Sequence, residues 1–182
     1  MRVCAVIPAR DAASTIGAVV RGLVTTLPDA TVLVIDDGSA DETGAVARQA
    51  GAQVLRHTLN QGKGAALQTG FDEALRLGAD AVLALDADGQ HDPEWAPRLL
   101  AGLASSDLVV GSRLQSRDGM PWLRRVTNDV TSWWVSRLAR TLIEDSQSGY
   151  RAIRATVLRR VRPEARRFEY ESEFLVAAAR AG

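Results

Sequence analysis

Strand and helix patterns alternate along the first 113 residues, and no other feature of the sequence limits the fold as strongly. Short apolar runs rich in β-branched residues predict five strands, at residues 2–9, 31–36, 53–58, 80–86 and 107–113. Amphipathic stretches predict helices between them, at residues 14–27, 39–50 and 62–77 and from 93 onward. This alternation predicts an α/β fold with a mostly parallel sheet and helices on both faces.

The second predicted helix carries a start signal. The segment "SADE" at residues 39–42 fits a capping box, with Ser39 as the N-cap and Glu42 bonding back to it.

Each predicted strand ends in a polar or glycine-rich segment. In chain order these segments are "PARD", "DDGS", "TLNQGKG", "DADGQH" and "GSR". Because the carboxyl ends of parallel strands meet at one edge of a sheet, and ligands of such sheets bind there, the sequence predicts a binding site at that edge.

The composition is that of an ordinary soluble globular protein, with 46% apolar and 24% charged residues. A length of 182 residues suits a single domain spanning residues 1–182. The one cysteine, Cys4, excludes an intrachain disulfide and favours a reducing, cytoplasmic setting. No apolar run reaches the roughly 18–20 residues of a membrane span.

A net charge of zero hides an uneven distribution. Acidic residues outnumber basic ones by six in residues 1–110, whereas residues 111–140 carry an excess of four positive charges and residues 141–182 an excess of two. The acidic N-terminal segment suits a metal ion, and the basic segment that follows it in the sequence suits an anionic partner. No nucleic-acid partner is expected.

The "GKG" at residues 62–64 is not a phosphate loop of the Walker type. His57 stands where that motif needs its first glycine, and Ala65 follows in place of serine or threonine. A dinucleotide fingerprint fails as well, because Leu67 replaces its third glycine. Lys63, the only lysine in the chain, is either a phosphate contact at a helix N-terminus or a solvated loop residue.

Oxygen ligands follow the fourth predicted strand. Asp86, Asp88 and the Gln90 amide form an all-oxygen set suited to Mg²⁺ or Mn²⁺, which complete their shells with substrate phosphates and water. His91 could add a nitrogen ligand, which would favour Mn²⁺. The alternative for an Asp-x-Asp pair is a polar turn without a metal.

Taken together, these motifs resemble a known family. The segments "VIPARDAASTI", "VIDDGS", "NQGKGAALQTGF", "DADGQHDPE", "GSR" and "DSQSGYRA" stand in the order and spacing of family-2 glycosyltransferases. The resemblance is strongest to the branch that contains dolichyl-phosphate mannosyltransferase-like and other polyprenyl-phosphate glycosyltransferases. It implies a GT-A fold with a Rossmann-like sheet, a GDP- or UDP-linked sugar donor, a divalent metal, and inversion at the anomeric carbon.

The resemblance also implies roles for individual residues in a nucleotide-sugar half, residues 1–113. It places Pro8, Arg10 and Asp11 beside the base and ribose. Asp37 should bond the base, with Asp36 ordering the strand end. Lys63 is expected at the nucleotide, Asp86 and Asp88 match the metal-diphosphate motif, and Gln90 matches a further metal ligand.

Residues 114–182 form the acceptor-side half by the same resemblance. Arg113 matches a basic residue near the transfer site, and Asp145, Ser148 and Arg151 belong to the acceptor-side segment. Arg113 and Arg151 are expected to hold an acceptor phosphate by charge-assisted hydrogen bonds. Glu171 and Glu173 match an acidic pair before the last helix. Asp145 is the candidate general base for a hydroxyl acceptor, whereas a phosphate acceptor is already ionised and needs no base.

The sequence departs from the family in two places. Ala12 and Ala13 stand where the family usually has one or two glutamates, which leaves the base of the donor open. Asp37 could bond guanine through two N–H groups but uracil through only one, which favours GDP on that count. Family members usually continue beyond the final "AAARAG", so the chain is expected to be either a shortened or a minimal form.

Residues 121–143 combine an apolar stripe, paired tryptophans and four arginines. They predict either a helix packed on the sheet or an interfacial helix that meets lipid headgroups. An interfacial helix would agree with a polyprenyl-phosphate acceptor and with attachment at the inner face of the membrane.

Two other functions remain open from the sequence. A nucleotidyltransferase also combines an α/β sheet with acidic metal ligands, but it needs a Gly-rich basic loop directly after the first strand. Here the first glycine is Gly17. A non-catalytic module that binds nucleotide sugars is the other alternative.

Overall fold

The computed structural model describes residues 1–111, 148–163, 165 and 169–180. Six strands form one sheet in the order β3-β2-β1-β4-β6-β5. Their bounds are β1 Val3–Ala9, β2 Thr31–Asp36, β3 Gln53–Arg56, β4 Ala81–Ala84, β5 Leu108–Val110 and β6 Arg151–Arg154. Pairing is parallel from β3 through β4, and β6 lies antiparallel to both of its neighbours. The predicted mostly parallel sheet is confirmed.

Six helices are described, and they cover both faces of the sheet. They are α1 Ala13–Thr26, α2 Thr43–Gln49, α3 Lys63–Arg76, α4 Ala96–Gly102, α5 Ala155–Arg160 and α6 Glu169–Arg180, with a 3₁₀ turn at Pro93–Trp95 before α4. Side chains of α1, α2 and α4 share one buried apolar cluster, and those of α3, α5 and α6 share the other. Alternate residues of β1 serve the two clusters, because successive side chains of a strand point to opposite faces. Among the described residues, no helix combines the length and the hydropathy that a membrane span requires.

Helix α3 packs closely against the centre of the sheet at Gly70. A Cβ atom at Gly70 would stand 2.3 Å from Cγ1 of Val6 and 3.1 Å from Cγ1 of Ile35. Only a glycine lets the helix approach β1 and β2 at this distance. This packing fixes the N-terminus of α3, and with it Lys63, against the carboxyl edge of the sheet.

The predicted capping box is wrong. Helix α2 begins at Thr43, and Ser39 instead donates its N–H to Asp36 Oδ1 at 2.9 Å and accepts the Asp11 N–H at 3.0 Å. Asp41 takes the capping role, since one of its carboxylate oxygens accepts the Thr43 N–H and the other the Ala13 N–H, each at 3.0 Å. A carboxylate is favoured beside two helix N-termini, where N–H groups lack intrahelical partners.

Three strands end earlier in the structure than the sequence predicts. β3 stops at Arg56, β4 at Ala84, and β5 covers only Leu108–Val110. Asn60 and Gln61 after β3, and Asp86 and Asp88 after β4, line the cleft at the edge of the sheet. Arg113, Asp145 and the segment 121–143 lie outside the described residues.

Candidate active site

A cleft of about 760 Å³ opens at the carboxyl edge of the sheet. Its walls come from the ends of β1, β2 and β4 and from the loop before α3. Among the predicted site residues, the following line it: Pro8, Arg10, Asp11, Asp37, Lys63, Asp86 and Asp88. The polar segments after β1, β2, β3 and β4 therefore converge as predicted, whereas "GSR" lies outside the described residues after Gly111.

The turn between β1 and α1 contributes Arg10, Asp11 and Ala12 to the lining of the cleft. Asp11 has a φ of +48°, the left-handed region, which aspartate tolerates better than most residues. Its N–H donates to Ser39 Oγ at 3.0 Å, and its Oδ1 accepts the Ala40 N–H at 2.8 Å. These two bonds tie the end of β1 to the turn that follows β2.

Asp36 lies beneath that turn and is fully buried. Its Oδ1 accepts the Ser39 N–H, and its Oδ2 lies 3.3 Å from Nη1 of Arg56. Arg56 also donates through Nη2 to the Ser39 carbonyl at 2.8 Å. The arginine therefore balances the buried charge and closes the turn, so the contacts of Asp36 are those of a residue that orders the strand end.

Asp37 faces the cleft but is heavily engaged within the protein. Its Oδ1 accepts His57 Nδ1 at 2.7 Å and the Gln61 N–H at 2.9 Å, while its Oδ2 accepts the Gly62 N–H at 2.8 Å. The far nitrogen of His57 lies 3.0 Å from Thr69 Oγ1 on α3. One carboxylate thus fixes the loop between β3 and α3.

Lys63 opens α3 and points its ammonium at two carboxylates. Its Nζ lies 2.6 Å from Asp86 Oδ1 and 3.2 Å from Glu171 Oε1. A Cβ atom at residue 149 would stand 2.6 Å from both Asp86 oxygens, so Gly149 leaves the space that this carboxylate needs. Lys63 therefore links the segment after β4 to the first turn of α6 at the cleft.

The segment that follows β4 is held at several points. Asp88 is exposed, and its Oδ1 accepts the Gln90 N–H at 2.9 Å. His91 is buried, with Nε2 3.9 Å from Asp86 Oδ2 and its ring 5.1 Å from that of Tyr150. Burial, with the nearby Asp92 charge, raises the pKa of Tyr150, so its hydroxyl stays a donor to the Asp92 carbonyl at 3.3 Å.

The described residues could hold a divalent cation if the protein and the substrate share its coordination. Within the described residues, no three acidic, histidine or cysteine side chains stand close enough to enclose a metal. Asp86 is already paired with Lys63, whereas Asp88 presents an exposed carboxylate on the cleft wall. An ion held by one or two carboxylates, completing its shell with substrate phosphates and water, is typical of Mg²⁺ and Mn²⁺.

The described residues that were predicted on the acceptor side contact one another and Lys63 beside the cleft. Arg151 is buried and donates through Nε to the Ser148 carbonyl at 2.8 Å and through Nη1 to the Glu171 carbonyl at 3.2 Å. Ser148 is fully buried, with Oγ accepting the Tyr150 N–H at 3.3 Å. Glu171 turns toward Lys63, while Glu173 accepts the Ala165 N–H at 3.0 Å and so faces elsewhere. The catalytic and acceptor roles of these residues stay predictions.

Three residues that were not predicted as site residues hold parts of the site in place. His57 bonds Asp37, and a histidine just before "NQGKG" is a sequence signal for a partner of the "DDGS" carboxylates. Asp41, rather than the predicted Ser39, bonds the start of α2. Thr15, in the first turn of α1, bonds the Ala87 carbonyl, and no local pattern marks such a contact.

The sheet order, the single antiparallel strand and the polar cleft at the carboxyl edge define the GT-A class of glycosyltransferase folds. The crystal structure of glucosyl-3-phosphoglycerate synthase from Mycobacterium tuberculosis with Mn²⁺ and uridine-diphosphate-glucose is similar, with a TM-score of 0.76 and 26% identity. The likeness covers 96% of this chain and 63% of that one.

The chain belongs to glycosyl transferase family 2, whose profile matches residues 4–164. It is 32% identical over 169 residues to the undecaprenyl-phosphate mannosyltransferase of Micrococcus luteus, covering 88% of this chain and 70% of the relative. It is 34% identical over 170 residues to the polyprenol monophosphomannose synthase of Mycolicibacterium smegmatis, covering 88% and 64%. The chain thus spans about two thirds of the length of these relatives.

Proposed function

We propose that the protein is an inverting, metal-dependent glycosyltransferase that moves a sugar from a nucleoside diphosphate to a polyprenyl phosphate. The observation that carries the proposal is the cleft, where Asp86, Asp88 and Lys63 meet at the carboxyl edge of a GT-A sheet. Family membership and the two relatives, named undecaprenyl-phosphate mannosyltransferase and polyprenol monophosphomannose synthase, support the same reaction class.

The donor would lie across the cleft, with its nucleoside toward Pro8, Asp11 and Asp37 and its diphosphate toward Lys63 and Asp88. Asp88, with Gln90 beside it, would hold a divalent cation, which supplies Lewis-acid stabilisation of the charge that develops on the leaving diphosphate. Lys63 would add a second positive charge there, since its ammonium already lies on the cleft wall.

The acceptor phosphate would attack the anomeric carbon from the face opposite the diphosphate. A carbon–oxygen bond to the acceptor forms as the bond to the diphosphate breaks, and the nucleoside diphosphate leaves with the electron pair. A phosphate monoester has a second pKa near 6 and is already mostly ionised at neutral pH, so no protein base is needed. Arg113 is the proposed contact for the acceptor phosphate, and Asp145 the proposed base for a hydroxyl acceptor.

Incubation with radiolabelled UDP-glucose, UDP-N-acetylglucosamine or GDP-mannose, each with Mn²⁺ and undecaprenyl phosphate in detergent, tests the reaction. We expect label from at least one donor to enter the organic phase, and none to enter it in the presence of EDTA. NMR of the product then reports whether the anomeric configuration is inverted. Donor binding without transfer or hydrolysis would instead make the protein a binding module.

A soluble phosphorylated acceptor is the second candidate. A solved synthase from Mycobacterium tuberculosis, with a TM-score of 0.77 and 25% identity, was crystallised with Mn²⁺, uridine-diphosphate-glucose and phosphoglyceric acid together. The same assay with phosphoglyceric acid in place of the lipid decides between the two. Label that stays in the aqueous phase as a new phosphorylated glycoside would replace the lipid proposal.

A further inference from the structure

The peptide between the two cleft carboxylates is held by a side chain from a different element. Thr15, in the first turn of α1, places its Oγ1 2.7 Å from the carbonyl oxygen of Ala87. Ala87 stands between Asp86 and Asp88 in the chain. Thr15, Ala87 and both carboxylates line the same cleft.

The contact between Thr15 and Ala87 lies beyond the last hydrogen bonds that join β4 to the sheet. β4 ends at Ala84, and Leu85 makes a last backbone bond to the Val6 carbonyl at 3.2 Å. Further on, Asp88 accepts the Gln90 N–H within its own turn. Ala87 itself is 7% exposed, so its carbonyl has little access to water and gains from an internal donor.

The hydroxyl of Thr15 has one proton and two carbonyls within reach. The Ala12 carbonyl of its own helix lies at 3.3 Å, and the Ala87 carbonyl at 2.7 Å. The shorter distance assigns the proton to Ala87, because hydrogen bonds between a hydroxyl and a carbonyl cluster near 2.7–2.8 Å.

We propose that Thr15 is a positioning residue that fixes the Ala87 peptide and so sets the direction in which the Asp86 and Asp88 carboxylates face the cleft. Their oxygens can then meet a divalent cation without first reordering the loop. This inference rests on the proposed function, since it concerns the same metal and diphosphate.

Two substitutions at this one position separate the hydroxyl from the shape of the side chain. Thr15→Val keeps the branched shape, removes the donor and puts a methyl group where the hydroxyl met the carbonyl at 2.7 Å. A methyl group needs more room, so the Ala87 peptide must move away. Thr15→Ser keeps the donor and is the matched control.

Hydrogen exchange of the ligand-free protein tests the anchor without any metal. We expect the amides of residues 85–91 to exchange faster in Thr15→Val than in the wild type, and at the wild-type rate in Thr15→Ser. Amides of β1 and β2 serve as the internal reference for global stability. Equal exchange of the segment in wild type and Thr15→Val would overturn the inference.

Mn²⁺ binding, followed by the loss of the free-ion EPR signal in the presence of UDP, tests the consequence. Loss of one neutral hydrogen bond predicts roughly five- to tenfold weaker Mn²⁺ binding in Thr15→Val, restored to within about twofold in Thr15→Ser. Unchanged Mn²⁺ affinity in Thr15→Val would overturn the role of Thr15 but not the proposed function. A wild-type protein that binds no Mn²⁺ would overturn both the role of Thr15 and the metal dependence of the proposed function.

UDP binding in EDTA distinguishes positioning from direct contact. Because Thr15 lines the cleft, it could touch the nucleotide itself. We expect Thr15→Val to bind UDP as the wild type does when no metal is present. Weaker metal-free binding would make Thr15 a direct nucleotide contact and would overturn its positioning role.

Discussion

At the scale of single residues, Asp88 and Asp92 make the same local contact but lie in different places. Each accepts, through Oδ1, the N–H of the residue two positions on, at 2.9 Å. Asp88 lines the cleft, whereas Asp92 precedes the 3₁₀ turn and its carbonyl meets Tyr150. The pair therefore offers a matched test of the metal assignment.

We expect Asp88→Asn to weaken Mn²⁺-dependent donor binding by about 100-fold or more, because it removes a ligand charge while its amide oxygen keeps the turn. Asp92→Asn removes the same charge four residues away and should leave Mn²⁺ binding unchanged. Titration calorimetry with UDP and Mn²⁺ measures both variants. Equal losses in the two would show a general charge effect and exclude Asp88 as the ligand.

Which nucleobase the donor carries depends on how many further hydrogen bonds the Asp37 carboxylate can accept. A carboxylate offers about four, and three are used by His57 and by the N–H groups of Gln61 and Gly62. Guanine would present two N–H groups and uracil one, so the one remaining acceptor position favours uracil. We expect UDP to raise the melting temperature more than GDP does at equal concentration with Mn²⁺. A larger shift with GDP would show that Asp37 does not read the base in this arrangement.

At the scale of elements, the close approach of α3 to β1 depends on Gly70 and Val6. Gly70→Ala places a methyl group inside contact distance of Val6, and we expect it to cost about 1–3 kcal/mol of unfolding free energy despite a better helix former. Val6→Ala opens space at the same point. The double variant should therefore be more stable than the sum of the two losses predicts, as urea unfolding will measure. Strictly additive losses would mean that the helix shifts away from Val6.

The N-termini of α1 and α2 depend on the charge of Asp41. Hydrogen bonds from the Thr43 side chain and the Ala13 N–H lower the pKa of Asp41 below its ordinary 3.8. Its ionised form therefore stabilises the fold at neutral pH, and that contribution is lost as the pH falls through the lowered pKa.

We expect Asp41→Asn to melt below the wild type at pH 7, because the two N–H groups bond different oxygens and one of these becomes an NH₂ group that cannot accept. The difference between the two should shrink when the pH falls below about 3.8, as the wild-type carboxylate takes up a proton. Glu42→Gln removes the neighbouring charge, which makes no capping bond, and should melt like the wild type. A difference for Asp41→Asn that persists unchanged at low pH would exclude the charge as its cause.

At the scale of the whole molecule, the excess of four positive charges in residues 111–140 gives a reason to expect docking on anionic lipid. Each basic residue near such a surface contributes about 1 kcal/mol, so binding should be reversible and sensitive to salt. Flotation with vesicles of phosphatidylglycerol and phosphatidylcholine should recover the protein at low salt and release it at high salt. Recovery on neutral vesicles alone, or on none, would remove the electrostatic argument for a membrane acceptor.

Local sequence patterns determined the elements of this protein and the edge at which its site lies. The periods of 2 and 3.6 are properties of short segments, so β1 through β5 and α1 through α4 could be recognised without knowing their neighbours. Parallel strands also bring their carboxyl ends together by geometry alone, which made the polar segments after β1, β2 and β4 meet.

Only the tertiary structure decided which of those polar groups pair with one another. Lys63 meets Asp86 and Glu171, Asp37 meets His57, and Thr15 meets the Ala87 carbonyl, because β1 lies between β2 and β4 and α6 reaches the start of α3. The insertion of β6 antiparallel between β4 and β5 was equally hidden from local patterns. Such contacts join residues far apart in the chain, and their partners follow from the packing of whole elements, which no short stretch of sequence encodes.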